Sequence, residues 1–147
     1  MIKFFKLKIL IIMLILPNNL MASNDNFFED AKIYFEKKDY EQSKFLFQKF
    51  LVFNPKDHHS YLYLAKIYKE EKDLRKTEKN LKTTLLLSPK NEEALLMLIE
   101  LEIEKSNFSK VKELREKFSL VCKELCDKKV SIGEKIKNLE PKNKTDQ

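Results

Sequence analysis

Glycine is nearly absent from this chain, because Gly133 is the only one among 147 residues and is accompanied by just four prolines. A sheet protein built from tight hairpins needs glycine at positions of positive φ, so this scarcity argues against that class. It also excludes a glycine-rich loop that cradles phosphate groups. Tryptophan is missing, but eleven phenylalanines and five tyrosines can fill a core. Charged residues at 35% and hydrophobic residues at 43% suit amphipathic helices with solvated outer faces.

The residue types that usually carry catalysis or bind metals are also scarce. His58 and His59 are the only histidines, and adjacent side chains on a helix point in different directions. The sequence shows no pattern that would predict an acid–histidine–nucleophile triad. A zinc site needs about four ligands, and the sequence contains no such cluster. The sequence therefore predicts a protein that is not an enzyme and that uses no cofactor or metal.

Cys122 and Cys126 are the only cysteines, four residues apart on the last long predicted helix. In an oxidising compartment they could form a disulfide. A regular helix would strain that bond, because disulfide geometry is specific, so pairing requires the helix to end near Cys122. A disulfide and a pair of buried free thiols both remain open interpretations.

The net charge of +6 is concentrated at the two ends of the chain. Residues 1–22 contribute three lysines and no acid, and residues 128–147 contribute six lysines and three acids. The formal charges of residues 23–127 therefore sum to zero. A nucleic-acid-binding domain usually has a basic face on its folded part, so the zero net charge of residues 23–127 argues against nucleic acid as a partner.

The first 22 residues are typical of a secretory signal peptide. Lys3, Lys6 and Lys8 precede the apolar run of residues 9–16, and Pro17 and a polar stretch lead to Ala22. The apolar run is much shorter than the ~20 residues that span a bilayer. We expect cleavage after Ala22 and a mature chain in the bacterial periplasm; the alternative is an uncleaved membrane anchor.

A period of 34 residues organises the middle of the chain, and such a period indicates stacked copies of one supersecondary unit. The pairs that recur at this spacing are Ala31 and Ala65, Tyr34 and Tyr68, Asp39 and Asp73, and Pro55 and Pro89.

Each unit is predicted to be a helix, a tight turn, a second helix and a proline. The first helix covers residues 25–38, Asp39 caps the second, and that helix stops before Pro55. The second unit, residues 58–91, repeats the plan. In a third, residues 92–125, the proline is replaced by Lys123, so its second helix is expected to continue to about residue 127. A last helix over residues 130–139 is expected to cover the open end of the stack. Four of its side chains are expected to point inward: Val130, Ile132, Ile136 and Leu139. A polar tail is expected to follow this helix.

At these positions the chain resembles the tetratricopeptide repeat family, over about residues 24–125. The family's bulky residues are matched by Phe27, Tyr61, Phe47 and Leu81. The third unit departs from the pattern, with Ile99, Glu102 and Arg115 in place of the small residue, the tyrosine and the large residue. The resemblance implies an all-α solenoid of about three repeats over residues 23–127 and a capping helix within residues 128–147.

The resemblance also implies a concave groove, lined by the first helix of each unit, that holds a peptide segment of a protein partner. Its lining is expected to be apolar and aromatic, with a basic flank. The groove residues carried over from the family are Phe28, Lys32, Phe35, His59, Leu62, Tyr63, Lys66, Lys69, Leu96, Met97, Glu100 and Ile103.

The expected function is a non-enzymatic adaptor in a periplasmic assembly, serving envelope, cell-wall, motility or secretion machinery. A chaperone-like subunit that shields an apolar client segment is an alternative, and so is a membrane-tethered scaffold if the signal is retained. Since three repeats barely satisfy the minimum for a stable stack, self-association is also expected as an option.

Overall fold

A computed structural model describes residues 25–139, with the side chains of residues 26–137. The predicted signal peptide and the polar tail lie outside these residues. The described chain is entirely helical, as the sequence predicts, and its helices form three consecutive hairpins followed by one further helix. The helices are α1 (Asp25–Glu36), α2 (Tyr40–Phe53), α3 (His58–Glu70), α4 (Leu74–Leu87), α5 (Glu92–Glu104), α6 (Phe108–Val121) and α7 (Lys128–Leu139).

Polar caps set the starts of four helices. The Asp39 carboxylate accepts the Gln42 backbone N–H at 3.2 Å, and Asp73 accepts that of Lys76 at 3.0 Å. Asp57 and Asn91 do the same for α3 and α5. Each bond satisfies one of the donors that a helix N-terminus leaves without an intrahelical partner. The second helices α2 and α4 end at Phe53 and Leu87, two residues before a proline, as predicted.

The turn inside each hairpin is the same three-residue motif, repeated every 34 residues. In the first, Lys38 N–H donates to the Phe35 carbonyl and Asp39 N–H donates to the Tyr34 carbonyl, both at 2.9 Å. This pair of bonds closes the helix with one residue in the left-handed region. The residues in that region are Lys38, Lys72 and Ser106, with φ of 61°, 59° and 56°.

The core runs through the stack where small residues let the helices approach. Ala31 and Ala65 are completely buried, and so are Phe47 and Leu81 on the second helices. The third hairpin uses a different register: Arg115, at the position equivalent to Phe47 and Leu81, is exposed. Leu114 and Phe118 fill the core there instead.

The hairpins are also joined by ion pairs at equivalent positions. Lys44 Nζ lies 2.6 Å from the Glu71 carboxylate, and Lys105 Nζ lies 2.9 Å from that of Glu78. The polarity is reversed between the two junctions while the positions in the repeat are the same. Each pair fixes the second helix of one hairpin against the end of the first helix of the next.

The end of the stack differs from the sequence prediction. Helix α6 ends at Val121 instead of running to about residue 127. Cys122 has extended backbone and is joined to Cys126 by a disulfide, with 5.3 Å between the Cα atoms. Glu92 lies at the start of α5. Its carboxylate accepts hydrogen bonds, at 2.6, 3.1 and 2.9 Å, from the backbone N–H groups of the three residues between the cysteines: Lys123, Glu124 and Leu125. These N–H groups, that of Leu125 first, lower the pKa of Glu92.

Helix α7 covers the third hairpin with two of the predicted residues. Ile132 and Ile136 are buried in the same cluster as Phe118. The prediction for Val130 is wrong, because its side chain is 69% exposed. Val130 is two residues before Ile132, so it points away from the face that Ile132 and Ile136, four residues apart, share. The Leu139 side chain lies outside the described residues.

Candidate functional site: the groove of first helices

The faces of α1 and α3 meet in a cluster of aromatic rings at the predicted groove. Tyr63 lies at its centre, with ring centroids 5.2 Å from Phe35 and 6.1 Å from Phe28. Tyr63 also stacks on Phe47 at 4.9 Å, with planes 16° apart. The three groove rings are partly buried, so each is fixed by packing and still presents an edge to solvent. A rigid aromatic surface of this kind loses little side-chain entropy when it binds.

The faces of α3 and α5 are joined by ion pairs, whereas those of α1 and α3 are joined by aromatic rings. Lys66 Nζ is 2.8 Å from the Glu93 carboxylate, and Lys69 Nζ is 2.9 Å from that of Glu100. The Lys66 ammonium also lies 4.8 Å from the centroid of the Tyr63 ring. The first helices of all three hairpins therefore form one continuous surface.

The structure changes the assignment of some predicted groove residues. Leu62 is only 5% exposed and belongs to the core between the second and third hairpins, so it is not available to a partner. Leu96, Met97 and Ile103 pack against that core and keep partial exposure. His59 is exposed at the edge, with its ring 6.4 Å from that of Phe28.

The expected basic flank is not present, because each groove lysine is paired with a carboxylate. Lys32 Nζ lies 3.0 Å from the carboxylate of Glu29, one turn earlier on α1. That hydrogen bond raises the pKa of Lys32. Lys66 and Lys69 are paired across helices as described above. The sequence position of a lysine did not reveal its partner, since two of these partners come from the next repeat.

An acidic row that the sequence analysis missed lies along one rim of the groove. Glu36, Glu70 and Glu104 are the last residues of α1, α3 and α5, and all three are exposed. Within the described part of the chain, none makes an ion pair or a side-chain hydrogen bond. Their spacing of 34 residues was a signal that could have revealed them.

Charge is segregated between the two kinds of helix. The first helices α1, α3 and α5 carry ten acidic and three basic residues, whereas the second helices α2, α4 and α6 carry four acidic and ten basic. The zero total of residues 23–127 therefore conceals two surfaces of opposite sign. Three aliphatic residues on the second helices, also 34 apart, are highly exposed: Val52, Leu86 and Leu120.

The two histidines lie side by side on α3. Their rings lie 4.0 Å apart at the start of α3, and the buried Nδ1 of His58 has no hydrogen-bond partner among the described residues. Between residues 25 and 139, no three His, Cys, Asp or Glu side chains are grouped so that they could hold a metal ion. None of the helices in that range combines the length and apolar character required to cross a membrane.

Three stacked helical hairpins, with a 34-residue period and a shared surface of first helices, define the tetratricopeptide-repeat fold, as predicted. This fold is typical of non-enzymatic proteins that bind other proteins. The chain is similar in structure to the TPR domain of Sgt2 from Aspergillus fumigatus, known from a crystal structure, with a TM-score of 0.67. The match covers 80% of this chain and 81% of that one at 16% sequence identity, so the likeness concerns the fold alone. No protein-family model matches the sequence, and no curated protein matches it.

Proposed function

We propose that this protein is a non-enzymatic adaptor that holds a segment of a partner protein in the groove formed by α1, α3 and α5. The observation that carries the proposal is the packed aromatic cluster of Phe28, Phe35 and Tyr63 on that surface. Burying one aromatic side chain on such a surface is worth roughly 1.5–3 kcal/mol, so a few anchors suffice for micromolar affinity.

We further propose that the adaptor works after export, in a periplasmic assembly of the bacterial envelope such as cell-wall, motility or secretion machinery. The basic and apolar N-terminal segment ending near Ala22 supports this proposal. The disulfide between Cys122 and Cys126 supports it independently, because disulfides persist in oxidising compartments. A mature N-terminus at Ser23 is the expected result of N-terminal sequencing. An intact residue 1 would favour a tethered scaffold instead.

The partner can be sought by crosslinking in intact cells followed by mass spectrometry. One stoichiometric partner supports the adaptor, whereas many unfolded clients would favour a chaperone-like subunit. The variant Phe35→Ala should reduce crosslinking, since Phe35 contributes an exposed ring edge to the cluster. Phe45→Ala is the matched control, because that ring is exposed on α2, away from the groove. Equal loss in both variants would contradict the assignment of the groove.

A further inference from the structure

The charges around the groove identify the kind of segment it can hold. All three lysines of the first helices are paired with carboxylates of the same surface, so none of these three remains to attract an acidic partner. Lys38 and Lys72, which make no ion pair among the described residues, lie in the turns that follow α1 and α3. The acids are in excess. On α5, Glu92, Glu93, Glu100 and Glu102 each have a partner within the protein, which leaves Glu104 at the end of the helix.

The remaining carboxylates form the row of Glu36, Glu70 and Glu104. Each lies four residues after the groove residue Lys32, Lys66 or Glu100, and residues four apart share one face of a helix. The row therefore follows the rim of the groove over all three hairpins. Asp30 also lacks a partner in the described chain, but its equivalents Leu64 and Leu98 are buried between hairpins, so it lies at the open end of the stack.

We propose that the groove accepts a basic amphipathic segment, an inference that rests on the proposed function of this surface. Apolar side chains of the segment pack on Phe28, Phe35 and Tyr63. Its lysines or arginines meet the row of Glu36, Glu70 and Glu104. An acidic segment is disfavoured because it would face this row, while the groove lysines that could balance it are already paired.

The test uses the full chain and three labelled peptides of about 15 residues, long enough to form a helix. All carry leucine along one helical face, and the other positions are lysine, glutamine or glutamate. Fluorescence anisotropy is expected to give the tightest binding for the lysine peptide and the weakest for the glutamate peptide. The whole chain has a charge of +6, so its long-range field favours the opposite order. The expected order therefore reports the local surface.

Two matched triple variants locate the effect. Changing Glu36, Glu70 and Glu104 to glutamine is expected to weaken the lysine peptide about tenfold, from three exposed charge contacts of ordinary strength. The control changes to glutamine three exposed glutamates that lie outside the first helices and likewise make no ion pair in the described chain: Glu116, Glu124 and Glu134. Both variants alter the net charge equally, and the control should leave the affinity within about twofold.

The inference is overturned if the glutamate peptide binds as well as the lysine peptide, or if the two triple variants have equal effects. Failure of the lysine peptide to bind at about 1 mM overturns it as well. The variant Phe35→Ala separates this inference from the proposed function. If it weakens the glutamine peptide while the charge order fails, the groove stands and only the inference falls. If Phe35→Ala changes the affinity of none of the three peptides, the groove assignment itself fails.

Discussion

The left-handed residues that close the three first helices lead to a prediction about stability. Lys38, Lys72 and Ser106 have φ between 56° and 61°, a region in which an L residue brings its Cβ too close to the carbonyl oxygen. The side chains of these residues make no hydrogen bond or ion pair in the described structure. Replacing each with glycine should therefore remove strain without removing a contact.

The expected gain follows from two opposing effects. Left-handed backbone costs a non-glycine residue roughly 1–2 kcal/mol, and glycine loses roughly 0.5–1 kcal/mol more than alanine in chain entropy. The difference is a gain of roughly 0.5–1 kcal/mol per site. The three sites lie in separate hairpins, so the effects should add to roughly 1.5–3 kcal/mol in the triple variant.

Urea denaturation followed by circular dichroism measures this gain directly. The control is Lys79→Gly, an exposed position inside α4 where the backbone is helical, and it should lose roughly 1 kcal/mol. Opposite signs for the same change from lysine to glycine would tie the gain to the backbone angle. A triple variant that is no more stable than the parent chain would refute the reasoning.

Three further outcomes are expected. Ala65→Leu should lower the free energy of unfolding by roughly 3 kcal/mol, because Ala65 is fully enclosed in the core, and retention of the parent stability in urea would contradict this. The variant Phe35→Ala should keep the helical far-UV circular dichroism spectrum, and its free energy of unfolding should fall by about 2 kcal/mol, since the ring is only partly buried. Loss of the helical spectrum would show that Phe35 is a core residue. Acidification from about pH 5 towards pH 2 should destabilise the fold. Hydrogen bonds from Lys110 and Lys117 lower the pKa of Glu113 from 4.5 to about 2, and that of Glu78 is lowered by Lys105 and Lys82. A carboxyl whose pKa is lower in the folded state stabilises the fold at pH values above its unfolded-state pKa. This stabilisation is lost as the pH falls through the folded-state pKa. Unchanged stability between about pH 5 and pH 2 would contradict the assignment.

Local sequence rules account for most helix boundaries in this protein. The caps at Asp39 and Asp73 act within three residues of themselves, and Pro55 and Pro89 restrict the residues just before them. Such effects are readable because both partners are close in the chain. The end of α6 was not readable, since the carboxylate of Glu92 that binds the loop lies 31 residues before Lys123.

The groove was predicted less completely than the fold. The resemblance to the repeat family implied that Phe28, Phe35 and Tyr63 share one surface, and the structure brings their rings together. Leu62 has the same position in the second repeat as Phe28 in the first, yet it is buried. A repeat position fixes a direction from the helix axis, whereas burial depends on what the neighbouring hairpin places opposite.

The sequence by itself determined the all-α class, the 34-residue unit and the bounds of α2 and α4, because capping, proline and periodicity act over a few residues. Only the tertiary structure decided which charges remain unpaired. Lys66 and Lys69 pair with Glu93 and Glu100 in the next hairpin, while Glu36, Glu70 and Glu104 make no ion pair in the described chain. Ion pairing depends on distances of a few ångströms between helices that are remote in sequence, and those distances exist only once the hairpins have stacked.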